Sequence, residues 1–511
     1  MAKSIMIQGT GSGVGKSVLC AAFCRIFFQD GLRAAPFKSQ NMSLNSFVTR
    51  DGLEMARSQA VQAEAAGIEP SVEMNPLLLK PSSDTRCQVI LNGKVMGDYS
   101  ASDYGAYQRD IWGTIQGSFH RLSRNHDVIV IEGAGSPAEV NLKDRDFVNM
   151  RTAEMADAPV LLAADIDRGG VFASIVGTLE LLEPCERARI KGFIINKFRG
   201  DLSLLAQGLD FLSTRTGIPV LGVVPFYRDV YIQEEDGVPL ESTVESGFRN
   251  TELNSKSTIQ IAVIHLPHIS NFTDFDALAA ELDVRVRYIP SSSDLNDADV
   301  VIIPGSKNTI GDLHYLRETG MEQRIKEFAA SGGMVAGICG GYQMLGTAIR
   351  DPYQVEGTAS EAAGMGLLPV TTVMEKEKQT VQVAAKSFAS NLWAGNVEVK
   401  GYEIHMGRTT RFDGARPAFH VHNDGENRED GAVSSDLRAW GTYLHGVFDS
   451  DGFRKSFLDG IRKRKGIETT AAGSYDRLKQ EGFDKLAAIV RGSIDMKKVY
   501  EILQSKNKSH G

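Results

Sequence analysis

The chain has 511 residues, beyond the roughly 250–300 that a single hydrophobic core organises, so two or three domains are expected. A hydrophobic share of 42% with 23% charged residues is that of a globular protein in water, and a net charge of −8 excludes the basic surface of general nucleic-acid binding. Local positive pockets for an anionic small substrate are compatible with that sum.

From Ser4 to Pro225, short β-rich runs alternate with helical stretches. Ile5–Gln8 leads into Gly9-Thr-Gly-Ser-Gly-Val-Gly-Lys-Ser17 and an apolar helix over 16–28. Strands are then expected at 33–38, 127–132, 158–165, 192–196 and 219–224. Their unbroken apolar character predicts a largely parallel sheet covered by helices on both faces. Gly11, Gly13, Val14 and Gly15 would wrap a phosphate with backbone N–H groups, Lys16 would neutralise it, and the Ser17 hydroxyl would ligate Mg²⁺. The common spacing puts glycine at position 10, where this chain has Thr10, with Gly9 one residue earlier. Glu132 ends an apolar strand and could hold the metal directly or through water. Asp165 and Arg168 follow another buried strand at the edge where ligands collect in open sheets, and would equally form a local ion-pair cluster.

Residues 241–257 are polar and aperiodic and are read as a linker between a P-loop domain (1–240) and a second α/β domain (258–450). In that second domain, strands are expected at 260–265, 284–289, 299–303 and 334–338, with helices near 275–282 and 321–331. The last strand runs into Cys339-Gly340-Gly341, a sharp strand-to-helix turn that exposes a nucleophile. A thiol needs a base, and His445, after the run Gly-Thr-Tyr-Leu, is the best partner; His265 and His405 compete for that role. The oxyanion donors would be the N–H of Gly340 and one from the turn Pro304-Gly305-Ser306. Residues 451–511 read as a charged helical tail with Leu486, Ile489, Val490, Met496, Val499, Ile502 and Leu503 spaced for one buried face. Five cysteines, odd in number and without a metal-type cluster, fit a reducing compartment. With no signal peptide and no apolar run near the ~20 residues of a membrane helix, a cytoplasmic protein without membrane contacts is expected.

Gly337–Gln343 and Tyr443–Gly446 resemble the Cys/His pair of class I glutamine amidotransferase domains, and the lengthened loop Gly9–Ser17 resembles that of dethiobiotin synthetase. Gly11 stands where partition-type ATPases carry an extra lysine. Blocks at 36–45, 75–81, 132–139, 165–170 and 196–201 extend the likeness over nearly the whole chain, which resembles the cobyric acid synthase family. That resemblance implies ATP, Mg²⁺ and glutamine as cofactors and nitrogen donor, and a corrinoid substrate. The b, d, e and g carboxylates of adenosylcobyrinic acid a,c-diamide would be amidated. It adds Asn196 to the nucleotide site and Lys38, Gln40, Asn41, Asn45, Asp165 and Arg168 as substrate contacts. Many class I domains carry a Glu two residues after the histidine; here Val447 stands there, which leaves the third member open, with Asp449 a local candidate. The rival readings are a cobyrinic acid a,c-diamide synthase and a partition or scaffold ATPase with an inert thiol domain. Oligomeric state is not legible in the sequence.

Overall fold

Each expected strand of the first half lies in one six-stranded sheet, ordered Val220–Pro225, Ile190–Phe198, Val160–Asp165, Lys3–Gly9, Val128–Glu132, Ala34–Phe37. The computed structural model describes residues 2–83, 86–100, 108–141, 143, 146–227, 230–233, 258–290, 295–357, 359–388, 390, 392–412, 414–423, 426–469 and 473–505. The expected linker, 241–257, lies outside them. All neighbouring strands of this sheet are parallel. Register explains how the loop meets its partners. Ile7 pairs with Glu132, Gly9 with Ala163, and Asp165 with Asn196, so one carboxyl edge carries the Gly-rich loop and all three polar groups.

Between the second and third strands in chain order lies an elaboration that periodicity did not show. Gln40–Met42, Leu77–Ser83, Arg86–Leu91 and Lys94–Ser100 form a four-stranded sheet. A hairpin, Ser46–Val48 against Glu54–Ala56, feeds helix Arg57–Ala65. One of these strands, Gln40–Met42, and both arms of the hairpin are three residues long, too short to carry a readable alternation.

The second half is built on Val284–Ile289, Ile259–Ile264, Val300–Ile303, Met334–Ile338 and Ala439–Thr442, parallel, with Ala432–Val433 antiparallel at the edge. The helix expected near 275–282 is instead a 3₁₀ turn, Phe272–Phe275, and one short helix, Asp276–Ala279. After the thiol turn the chain leaves the parallel sheet for a mostly antiparallel one. Its longest arms are Val370–Ser387 and Glu398–Arg411, and the chain rejoins the first sheet of this half at Ala432.

The tail divides between the two halves. Helix Asp451–Lys465 packs Phe453, Phe457, Leu458 and Ile461 into the second core. Helices Tyr475–Ser493 and Met496–Gln504 cross back onto the first half, where Leu486, Val490, Val499 and Leu503 join Leu19, Phe23 and Phe27 in one cluster. Ile489, Met496 and Ile502 pack at its margin, so the expected stripe is the face that docks. Among the described residues no helix is long and apolar enough to cross a membrane.

Candidate functional site

At the first edge, Gly15 takes φ +95°, and a Cβ there would fall 2.3 Å from the Asn196 amide nitrogen, so only glycine fits. Asn196 donates to the Val14 carbonyl at 2.8 Å and thereby braces the loop from the side. Lys16 reaches back to the Gly11 and Gly135 carbonyls at 2.8 and 3.1 Å, which holds its ammonium over the loop. Ser17 Oγ donates to Glu132 at 2.9 Å. Lys197, which sequence reasoning missed, donates to the Gly13 carbonyl at 2.6 Å and pairs with Asp165 at 3.0 Å. Its φ of +61° is the only local peculiarity, and that is invisible in a sequence.

The remaining expected substrate contacts are placed unevenly. Lys38 forms a buried pair with Glu132 at 2.7 Å, and Gln59 and Gln62 also donate to that carboxylate. Asn41 is buried against Ser58 and Gln59, and Asn45 accepts from the Phe272 N–H of the other half. Gln40 is half-buried on the short strand Gln40–Met42. Asp165 and Asp167 are ion-paired to Lys197 and Arg199, while Arg168 stands exposed beside Gly13.

For a magnesium ion, the Ser17–Glu132 pair at the strand ends fits a cation that takes most of its ligands from phosphate and water. Among the described residues no group of three or more His, Cys, Asp or Glu is arranged for a metal. Glu132 already accepts from Lys38, Ser17, Gln59 and Gln62, so its share of the ion is better made through water.

The second centre is the turn at Cys339. Its backbone sits at φ +51°, ψ −106°, a conformation that L-residues avoid, between strand Met334–Ile338 and helix Gly340–Leu345. A Cβ on Gly341 would meet the Ile303 carbonyl oxygen at 2.0 Å, so a bare backbone is required for the turn to close on its neighbour strand. A Cβ placed on Gly340 would lie 2.9 Å from Ser306 N, and one on Gly305 3.3 Å from His445 Cε1. Cys339 with Gly340, Gly305 and His445 therefore come from three segments to one spot. The thiol is buried and donates to the Ile404 carbonyl at 3.7 Å.

His445 is oriented by a residue that sequence reasoning did not find. Its Nδ1 lies 2.7 Å from Asp274 Oδ2, and Asp274 Oδ1 accepts from the Gly446 N–H at 3.0 Å. Asn271 Nδ2 also approaches Nδ1, at 3.3 Å, but the shorter charge-assisted contact decides the tautomer: Nδ1–H donates to Asp274 and Nε2 is left to act. Burial opposes a charge on His445, yet Asp274 and Cys339 overcome it and raise the imidazole to about 10. Asp449 is not bonded to the histidine; it is buried nearby, raised to about 7 mainly by desolvation. His405 stacks on Tyr443 at 3.7 Å and bonds its own strand, and His265 continues the strand Ile259–Ile264 into its loop. The signal for Asp274 was an acid in Asn271-Phe-Thr-Asp-Phe275, 171 residues from His445, which only the fold brings near.

The chain matches the family described as the CobQ/CobB/MinD/ParA nucleotide binding domain over residues 5–240. Over residues 260–453 it matches the CobB/CobQ-like glutamine amidotransferase domain. It is 52% identical over 509 residues to a cobyric acid synthase of Dehalococcoides mccartyi, covering 98% of each chain. It is 52% identical over 510 residues to one of Klebsiella pneumoniae, covering 99% of each. A Clostridium botulinum cobyric acid synthase is 50% identical over 511 residues, 99% of this chain and 100% of that one. With a glutamine amidotransferase half joined to a nucleotide-binding half in this order, the chain belongs to the cobyric acid synthase family of glutamine-dependent, amide-forming ligases of cobalamin biosynthesis.

Proposed function

We propose that this chain amidates the b, d, e and g carboxylates of adenosylcobyrinic acid a,c-diamide to adenosylcobyric acid, using ATP and ammonia released from glutamine. One observation carries the reading: a strained cysteine turn facing a buried His445–Asp274 pair, on a chain that also holds a Gly-rich Lys16-Ser17 loop. In this reading residues 1–240 are the synthetase and the second parallel sheet is the glutaminase, with the helices from 475 strapping one to the other.

The Cys339 thiolate attacks the side-chain carbonyl carbon of glutamine, and the N–H groups at Gly305 and Gly340 receive the developing oxyanion. His445 gives its Nε2 proton to the departing ammonia, then takes one from the water that hydrolyses the thioester to glutamate. At the other edge a substrate carboxylate oxygen attacks the γ-phosphorus of ATP. ADP leaves, an acyl phosphate forms, and ammonia displaces phosphate to give the amide. Lys16 and the loop N–H groups stabilise the charge on the transferring phosphoryl group. A magnesium ion held through Ser17, and by water through Glu132, would supply charge neutralisation there. Arg168 and Gln40, beside the loop and on the adjoining small sheet, are the proposed corrinoid contacts.

Incubation with the a,c-diamide, ATP, Mg²⁺ and glutamine, followed by mass spectrometry, tests the proposal. Four successive carboxylate-to-amide conversions support it. Conversion of the unamidated cobyrinic acid at its a and c positions alone would assign the chain to the diamide synthase, and glutamine-independent ATP hydrolysis alone to a scaffold ATPase.

A further inference from the structure

The two halves meet at a two-residue step, Asn45-Ser46, that belongs to the P-loop half but touches the surroundings of His445 at three points. Ser46 N donates to Asn271 Oδ1 at 2.8 Å. Asn45 Oδ1 accepts from the Phe272 N–H at 3.2 Å. The Ser46 carbonyl accepts from the Tyr402 hydroxyl at 3.0 Å. Each of these partners bears on the histidine. Asn271, in the left-handed conformation at φ +53°, receives the Asp274 N–H on its backbone carbonyl at 3.0 Å, and Asp274 is the acid that holds Nδ1. Tyr402 lies flat on the imidazole, with centroids 5.3 Å apart and planes at 19°, and exchanges both backbone hydrogen bonds with His445. Asn45, Ser46, Asn271, Asp274 and His445 are all at most 4% exposed.

We infer that Asn45 and Ser46 are positioning residues for His445, so that the cysteine centre of the second half has its base correctly set only while this step of the first half is docked. The physical reason is that Asn271 anchors the turn bearing Asp274, whose carboxylate sets the imidazole. With the Asn271 Oδ1 held by the Ser46 N–H, that turn cannot shift without breaking the cross-half bond. The Tyr402 hydroxyl does the same for the plane of the stacked ring. Both contacts act on orientation, and neither touches the thiol or the Gly-rich loop. The step follows directly from the strand Gln40–Met42 at the proposed corrinoid side, so a shift of that strand is transmitted to the histidine through two buried residues.

The inference rests on reading Cys339 and His445 as the glutaminase, and the experiment separates the two. In the full-length protein, Asn271→Gly keeps the positive φ but removes the amide, and Tyr402→Phe keeps the stacked ring but removes the hydroxyl. Asn45→Ala removes the third contact, and Asn45→Asp restores an acceptor for the Phe272 N–H. Glutamine-driven turnover should fall by about ten- to a hundredfold in Asn271→Gly, the scale of a small misplacement of a catalytic group, with the loss in kcat and not in KM for glutamine. Tyr402→Phe and Asn45→Ala should lower it in the same way but less, and Asn45→Asp should recover most of the loss. Amidation driven by added ammonia should stay unchanged in Asn271→Gly and Tyr402→Phe. Equal loss with both nitrogen donors, or no loss with glutamine, overturns the positioning role. Glutamine use that survives in Cys339→Ala overturns the underlying assignment instead.

Discussion

The two centres are built in opposite ways. The phosphate edge is nearly contiguous: nine residues, Gly9–Ser17, supply the loop, and the sheet register brings Glu132, Asp165 and Asn196 beside it. Its charges are already paired, Lys38 with Glu132 and Asp165 with Lys197. The thiol centre is gathered from residues 271–274, 305–306, 339–340 and 402–445, and its histidine is held by groups from both halves. The first arrangement is set by one loop and the register of its own sheet. The second depends on distant packing, so it is the one that a change elsewhere can switch off.

Removing each centre in turn gives the largest effects and tests that contrast. Cys339→Ala should abolish glutamine-driven amidation and leave ammonia-driven amidation nearly intact, measured by product formation with each donor. Lys16→Ala removes the cation held over the loop, so both donors should lose orders of magnitude together. If Lys16→Ala spared ammonia-driven synthesis, the nucleotide would have to be activated elsewhere.

Asp274→Asn sharpens the comparison by changing one charge. The folded imidazole is raised to about 10, above its ordinary 6.5, by Asp274 and Cys339 against the cost of burial. A raised histidine contributes its stabilisation fully below the ordinary value and loses it as pH climbs through the raised one. The charged pair should therefore hold across neutral pH and fail only in alkali. Besides Asp274 and Cys339, the group packed on the ring is Tyr402, whose hydroxyl burial drives further from ionisation. With Asn at 274 the alkaline limb of the glutaminase profile should move to lower pH. Turnover should fall by up to about 10⁴-fold, since an amide there can favour the wrong tautomer. An unmoved alkaline limb would show that Asp274 does not set the charge on His445.

How much of this was legible follows from the same contrast. The alternating strands, the Gly-rich loop and the cysteine turn are local signals, because continuous apolar runs and glycine spacing write themselves into neighbouring residues. The strand Gln40–Met42 and the hairpin after it were not, since three-residue strands carry no period. Neither was the antiparallel excursion after Cys339. Asp274 and Lys197 were missed for a different reason: each acts through a partner that only tertiary structure supplies. The block 36–45 was recognised as important, yet the structure places Asn45 between the halves and Lys38 on Glu132, roles that no motif distinguishes from substrate contact.

The strap from the tail should matter for stability more than for chemistry. Leu486 is fully buried in the cluster with the loop helix Lys16–Gln29, so Leu486→Ala should cost about 2–5 kcal/mol in denaturant unfolding of the P-loop half. Glutamine hydrolysis should survive it better than amidation does, because the thiol centre lies in the other core.

The smallest effect is expected where the same strap is held by charge. Arg25, nearly buried, pairs with Asp484 at 2.8 Å, while the carboxylate is about half exposed. The Arg25 bond holds Asp484 below the ordinary carboxylate range, with a further hydrogen bond from Gln29 acting the same way. A depressed carboxylate contributes stability above its ordinary pKa and loses it as pH falls through the folded value, so the pair stabilises at neutral pH and not in strong acid. Asp484→Asn keeps an oxygen acceptor, and Arg25 retains Gln480 at 3.0 Å and the face of Phe28 at 5.4 Å. Solvent screening of the half-exposed partner limits the expected loss at pH 7 to about 1 kcal/mol or less. Denaturant midpoints of the two proteins should differ slightly at neutral pH and converge below the carboxylate range. A loss as large as that of Leu486→Ala would mean that charge, and not the apolar stripe, holds the strap on the P-loop half.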